Sequence, residues 1–214
     1  MTDLWSERAE AYRAAIEHAG GEDLALLVAW CGATPGVTVI DVGTGAGHTA
    51  LALREAGCTV VTADSAPGMR PDVICRAEEL PFAEDSFDAG VSRIAPHHFE
   101  DVQAAVRELA RVARDVVVIE DTLYATEDVE EAERLRDPTH VRSYTEVEWR
   151  ELFAGAGLAV EEVAFFEKRR PVDDWLARTC CVGEEARRVR ELLGDHIDGE
   201  EYVDTKILAR GAHR

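Results

Sequence analysis

The segment Asp41-Val42-Gly43-Thr44-Gly45-Ala46-Gly47-His48 places glycines at every second position behind a carboxylate. Glycines in such a turn let the backbone bend sharply and approach a bound molecule closely. A dinucleotide fingerprint needs Gly or Ala at the sixth position counted from the first glycine, and His48 stands there. Asp41, two residues before Gly43, would repel a pyrophosphate. It suits a ligand that carries a cationic amine and a sulfonium. Asp64 follows Gly43 by 21 positions, where a carboxylate can accept hydrogen bonds from both hydroxyls of a ribose. For each aspartate alone the competing, less favoured reading is a turn or helix-capping role. With the glycine turn between them, they point to a sulfonium-bearing nucleoside more than to a dinucleotide. Three histidines, His97, His98 and His140, are candidates to move a proton near neutral pH. For the adjacent pair the competing reading is that one caps the next helix and the other is solvated. Arg93 ends an apolar run, and either binds an acceptor's carboxylate or phosphate or pairs with a local acid.

The elements that must position these residues alternate. Helical patterns span Ser6–His18, with Ser6 as N-cap, and Asp23–Cys31, ended by Gly32 and Pro35. The β-branched run 37–42 leads into the glycine turn, and His48–Ala56 is the helix after it. Further strands are read at Cys58–Ala63, Val73–Cys75, Phe87–Ser92, Val116–Glu120, Leu158–Phe165 and Tyr202–Ala209. Helices fit at Asp101–Ala113, Glu127–Arg136, Thr145–Ala156 and Glu184–Leu193. Continuous apolar strands between helices are the pattern of a doubly wound α/β sheet buried on both faces.

The chain resembles the class I S-adenosylmethionine-dependent methyltransferases, in particular the branch of quinone-biosynthesis-type small-molecule enzymes, over nearly its whole length. Asp41–Gly47 matches the first motif and Asp64 the acid of the second strand. Ala77-Glu78-Glu79-Leu80-Pro81-Phe82 with Asp85-Ser86-Phe87-Asp88 matches the stretch flanking the adenine. Ser92–Phe99 matches the loop where the methionine part and the acceptor meet, and Leu135–Arg142 with Glu148-Trp149-Arg150 a segment of a bacterial subgroup. The resemblance implies a Rossmann-like sheet of order 3-2-1-4-5-7-6 with the last strand antiparallel. It implies S-adenosyl-L-methionine held by Asp41, Gly43, Thr44, Gly45, Gly47, Asp64, Ser65, Ala77, Glu78, Glu79 and Ser92. A first helix would fold over the cofactor with Tyr12 as its aromatic contact. One domain, 1–214, is expected: 1–34 as N-terminal helices and lid, 122–144 and 165–181 as segments of the acceptor pocket. Methyl transfer from a sulfonium is an in-line displacement that requires no metal, and the protein supplies positioning and a dry pocket. An oxygen or nitrogen acceptor calls for a base, whereas a thiol or carbanion-like carbon does not. The catalytic candidates are His97, His98, His140 and Arg93.

Two departures stand out. Only the seven residues Ser65–Pro71 separate Asp64 from Asp72, too few for a helical crossover between parallel strands, and Pro67, Gly68 and Pro71 oppose a helix. The helix between strands two and three is therefore expected to be missing and strand three short. The sheet face left bare there needs a partner, a terminal segment or polar residues, and a homodimer through it is one expectation. Arg76 stands where relatives carry an Asp that accepts from the adenine amino group, and a guanidinium cannot accept.

Composition bounds the remaining classes. The 214 residues carry 43 acids against 23 bases, a formal net charge of −20, and Lys168 and Lys206 are the only lysines. Such a surface repels phosphate backbones, so neither nucleic acid nor an anionic membrane is an expected partner and the acceptor is read as a small molecule. No run nears the roughly 18 apolar residues of a membrane span. With an acidic N-terminus, the expected location is cytoplasmic. Five cysteines without C-x-x-C spacing predict neither a disulfide framework nor a structural zinc site. Two other readings stay open: a non-catalytic S-adenosylmethionine-binding regulatory or assembly protein, and a short-chain oxidoreductase. The second wants a Tyr-x-x-x-Lys pair; Tyr202 and Lys206 have that spacing, but in a run read as a strand, where four residues separate the side chains by about 13 Å.

Overall fold

The computed structural model describes residues 4–14 and 19–213, with the side chains of 4–10 and 19–213. Helices α1 (Leu4–Ala14) and α2 (Glu22–Trp30) precede β1 (Thr38–Val42), α3 (His48–Glu55) and β2 (Thr59–Asp64). There follow β3 (Val73–Ile74), β4 (Phe87–Arg93), α4 (Val102–Val112), β5 (Ala113–Thr122), α5 (Glu127–Arg136) and α6 (Glu146–Gly155). The chain closes with β6 (Leu158–Pro171), α7 (Val172–Ala177), α8 (Gly183–Leu193), β7 (Ile197–Asp198) and β8 (Glu201–His213). The described strands form one sheet of order β3-β2-β1-β4-β5-β8-β6, with the two-residue β7 added to β8. Strands β1 to β5 run parallel, and β8 is antiparallel to both β5 and β6. With the short β7 set aside, this is the expected order and the expected antiparallel last strand.

The apolar runs make two cores, one on each face. Ile40, Val42, Val117, Ile119 and Ile207 pack with Val106, Leu109, Trp149 and Phe153 of α4 and α6. Their alternate neighbours Val39, Val60, Val91, Val118 and Leu208 pack with Leu27, Ala50 and Leu53 of α2 and α3. Strands buried on both faces cannot alternate apolar with polar residues, which is why these runs are continuously hydrophobic. A third, smaller core joins α5, α7 and α8 to the start of β8 around Trp175 and Tyr202. It is built on β6 and β8, which at 14 and 13 residues outrun the other strands.

The crossover between β2 and β3 is a single 3-10 turn, Pro67–Met69, and β3 has two residues, as the short spacing predicts. The N-terminal segment covers the face this leaves: Ala9 and Trp5 of α1 pack on Ala66 and Met69. The expectation that Ser6 caps the first helix is corrected. The helix begins at Leu4, and Ser6 accepts a hydrogen bond from the Gly68 amide at 2.7 Å instead. The amide of a turn too short to be helical needs an outside partner, and the hydroxyl supplies it. The end of the expected helix, 15–18, lies outside the described residues, as does the side chain of Tyr12. The strands at Phe87–Ser92, Val116–Glu120, Leu158–Phe165 and Tyr202–Ala209 are all longer than their apolar runs, and the first three add a buried charged residue, Arg93, Asp121 and Arg170. The five cysteines are all free thiols.

Candidate active site

The C-terminal ends of β1, β2, β4 and β5, with the N-terminal part of the antiparallel β8, open into one continuous cleft, of about 270 Å³, close to the smaller end of small-ligand sites. Its first part lies over the glycine turn and is lined by Gly43, Thr44, Gly45, Asp64, Ser65, Ala77 and Glu78. Two of the turn's glycines serve different needs. A Cβ on Gly43 would lie 2.6 Å from the Ala95 Cβ, so that glycine admits the loop after β4. Gly47, at φ +82, has open space where a Cβ would go and is a glycine for its backbone angle. Asp64 receives the Gly45 amide on one carboxylate oxygen and the Ala66 amide on the other, each at 2.9 Å. It therefore stands fixed at the strand end, on the cleft wall. Asp41 does not reach the cleft. It is 1% exposed, accepts from the Thr44 hydroxyl at 2.6 Å, and burial raises its pKa to about 6. Ser92 is likewise buried, its hydroxyl donated to the Val42 carbonyl. Gly47 and Glu79 do not line the cleft either. Arg76 does line it, paired to Glu100 at 2.8 Å and Glu78 at 3.4 Å.

The loop after β4 carries the histidines. It leaves the strand through Ile94 at φ +53, a strained angle for a β-branched residue, held by the Ile94 amide on the Glu120 carbonyl. His97 and His98 follow in a 3-10 turn. The His97 Nδ1 lies 2.5 Å from Oδ1 of Asp121, a fully buried residue of β5. Burial penalises charge on both: it holds the His97 pKa well below the usual range and raises that of Asp121 to about 7. The His97 ring is 12% exposed and lines the cleft. His98 donates from Nδ1 to the Thr139 carbonyl at 3.0 Å, and Trp5 of α1 meets it edge-on with centroids 4.6 Å apart. Its pKa is also lowered well below normal, by burial first and then by His97. His140 sits behind them, buried, with Nε2 3.1 Å from Glu130, and does not line the cleft. The three rings are 4.0 to 6.3 Å apart. Among the described residues no three His, Cys, Asp or Glu side chains gather as a metal site.

Arg93 takes the local pairing of the two expected. Its Nε donates to Glu120 and an Nη to Asp23 of α2, both at 2.7 Å, and Lys168 approaches the other Asp23 oxygen at 2.6 Å. The Asp23 carboxyl is lowered well below the usual range by its hydrogen bonds to Glu120, Lys168 and Arg93, against the opposing effect of burial. Glu120 is pushed up to about 7, chiefly by burial.

Beyond His97 the cleft continues into a chamber lined by Thr122, Glu133, Arg136, Arg170, Trp175, Arg178, Asp204 and Lys206. Most of these lie in the 122–144 and 165–181 segments; Asp204 and Lys206 come from β8. Lys206 donates to Asp204 at 2.8 Å and to the Thr122 hydroxyl at 2.6 Å, and Arg170 pairs with the other Asp204 oxygen. Sequence reading names these two segments but not the chamber's charged residues, nor Asp121. A signal existed for both. Glu120-Asp121 ends an apolar run at the carboxyl end of a strand, where open α/β sheets bind ligands. Asp204 and Lys206 fall on one face of β8, between the buried Tyr202 and Leu208.

The likeness to known proteins agrees with this geometry. A family model described as a methyltransferase domain matches residues 40–119, the span from β1 through β5. The uncharacterized methyltransferase YcgJ of Bacillus subtilis is 34% identical over 94% of this chain and 87% of its own length. The chain belongs to the class I S-adenosylmethionine-dependent methyltransferases. The crystal structure of YcgJ superposes on this methyltransferase with a TM-score of 0.80, covering 90% of this chain and 98% of YcgJ at 28% identity. A demethylmenaquinone methyltransferase of Mycolicibacterium paratuberculosis is 37% identical over 39% of the methyltransferase and 40% of its own length. The fold also matches a magnesium protoporphyrin IX methyltransferase of Synechocystis PCC 6803 solved with bound SAH, at a TM-score of 0.60 and 15% identity, covering 93% and 84% of the two chains. No helix among the methyltransferase's described residues is long and apolar enough to cross a membrane.

Proposed function

We propose that the methyltransferase moves the methyl group of S-adenosylmethionine onto a small-molecule acceptor held in the chamber beyond His97, with His97 as the proton acceptor. The supporting observation is the His97–Asp121 pair, at the junction between the glycine-turn cleft and the chamber. The donor fits the residues present. Nε2 of His48 is buried without a partner on the cleft wall, and Asp64 stands where ribose hydroxyls need an acceptor. Gly43, Thr44 and Gly45 would hold the methionine part, Asp64 and Ser65 the ribose, and Ala77 and Glu78 the adenine. Asp41 acts through Thr44 as a positioning residue. When bound, S-adenosylmethionine supplies a methyl group already activated by its sulfonium.

The chain's own residues then do three things. Trp5 and Met69 wall the cleft from the α1 side and exclude water. Asp121 holds the Nδ1 side of His97 and so fixes the ring's orientation, leaving Nε2, which makes no hydrogen bond to the described residues, as the proton acceptor. The carboxylate of Asp121 offsets the charge that develops on the ring. Calorimetry with S-adenosylmethionine and with S-adenosylhomocysteine, paired with a screen for S-adenosylhomocysteine release on small-molecule acceptors, tests the reading. Binding of both, with release on an acceptor, is expected. NADH binding in their place would sink it.

A further inference from the structure

Resting on the reading that the chamber receives the methyl acceptor, we propose that this acceptor carries an oxyanion, a carboxylate or a phosphate, seated on Arg136. Arg136 ends α5 and is 9% exposed, on the chamber wall. Its Nε is buried without a hydrogen-bond partner. Its nearest carboxylates, Glu133 at 3.6 Å and Asp137 at 3.9 Å, are beyond hydrogen-bond reach of the Nη atoms. The flat of the guanidinium lies 4.2 Å above the Trp175 ring, so the group is held in place by its face while its donor edge is unspent. A buried guanidinium with idle donors is costly, and the usual remedy is a bidentate oxyanion.

The surroundings favour the same ligand. Arg136, Arg170, Arg178 and Lys206 line the chamber against two carboxylates, Glu133 and Asp204. Asp204 is shared between Arg170 and Lys206. A cation-rich hollow inside a chain of net charge −20 is set against the average field of the molecule, and it selects an anion from solution while repelling cationic acceptors. The competing explanation is that Arg136 only packs on Trp175. It predicts that removing the guanidinium destabilises the protein and changes no ligand's affinity.

The test titrates the protein saturated with S-adenosylhomocysteine by calorimetry, using benzoate, phenyl phosphate and neutral benzamide as probes. Wild type should bind at least one of the two anions and not benzamide, and the tighter of the two identifies carboxylate or phosphate as the group read. Arg136→Met should weaken that anion roughly tenfold or more while S-adenosylhomocysteine affinity and the melting temperature are kept. Binding of neither anion, equal binding of benzamide, or an anion affinity unchanged in Arg136→Met overturns the proposal. Should Arg136→Met fail to fold, the Nε–Hε NMR resonance of Arg136 in the wild type decides. It shifts on addition of the bound anion if the proposal holds and stays in place if it does not. Binding of S-adenosylhomocysteine is read separately, so its absence would count against methyl transfer itself while the anion titration could still be read.

Discussion

His97 and Asp121 are 24 residues apart in sequence and share one proton's worth of charge in a site that tolerates little. That gives the pair a definite pH signature. Asp121 must be ionised to support a proton arriving on His97, and its carboxyl is raised to about 7. With an oxygen or nitrogen acceptor, kcat should therefore rise as pH passes through about 7, and Asp121→Asn should flatten the profile. His97→Gln should lower kcat by roughly 100-fold or more, the usual share of a general base, with little effect on S-adenosylhomocysteine binding. An unchanged kcat in His97→Gln would point to an acceptor that needs no base. Asp64 is the opposite case. Both of its oxygens already hold backbone amides, so Asp64→Ala loosens the turn as well as removing the ribose contact. A loss of at least tenfold in S-adenosylhomocysteine affinity by calorimetry is expected, one charged hydrogen bond's worth. Unchanged affinity would remove Asp64 from the site.

At the scale of elements, the chain spends no helix on the β2–β3 crossover and closes that face with α1. The seam is tight: a Cβ on Gly68 would lie 2.5 Å from the Ser6 backbone. Gly68→Ala must push α1 outward, at a cost of about 1–3 kcal/mol for overpacking. Because Trp5 lies on the cleft wall and against His98, hydrogen exchange over residues 4–10 should rise and S-adenosylhomocysteine affinity should fall together. Exchange that rises without a change in affinity would mean that α1 covers the sheet but not the ligand. The other distinctive element is the long β6–β8 pair, which carries the third core and with it Arg170, Asp204 and Lys206 of the chamber. The chamber is thus an outgrowth of the sheet, and its charged residues are placed by strand register.

At the scale of the molecule, buried acids and the acidic surface make stability depend on pH and salt. Asp41 is raised by burial to about 6, whereas in an unfolded chain it loses its proton near pH ~4. Between those values the folded state holds the extra proton, so this residue's contribution falls as pH rises through the window. His97 and His98, lowered by burial, act in the opposite sense below their usual range, so the wild-type curve mixes the two. The comparison that isolates Asp41 is Asp41→Asn against wild type in urea unfolding. The variant should gain on the wild type as pH climbs from about 4 to about 6. A difference that is flat across that range would show that Asp41 ionises normally. The net charge of −20 predicts a melting temperature that rises with KCl, as screening at about 0.1 M and above shortens the range of repulsion to about 10 Å.

The order of the sheet was implied by the family resemblance; the sequence by itself determined the alternation of strands and helices, the missing crossover helix and the glycine-turn motif. These are written in local signals: continuous β-branched runs, a glycine turn behind Asp41, an acid ending the next strand, and a crossover too short for a helix. Each acts within a few residues, where backbone sterics and hydrophobic periodicity decide. Only the tertiary structure decided which charged residues work and which are spent. Arg93 is consumed by Glu120 and Asp23, His140 by Glu130, and Ser6 by Gly68, while His97, backed by the buried Asp121, and Arg136 line the cleft with chemistry to offer. Whether a polar side chain is satisfied depends on partners that meet it from distant segments in a dry interior, and no spacing along the chain records that.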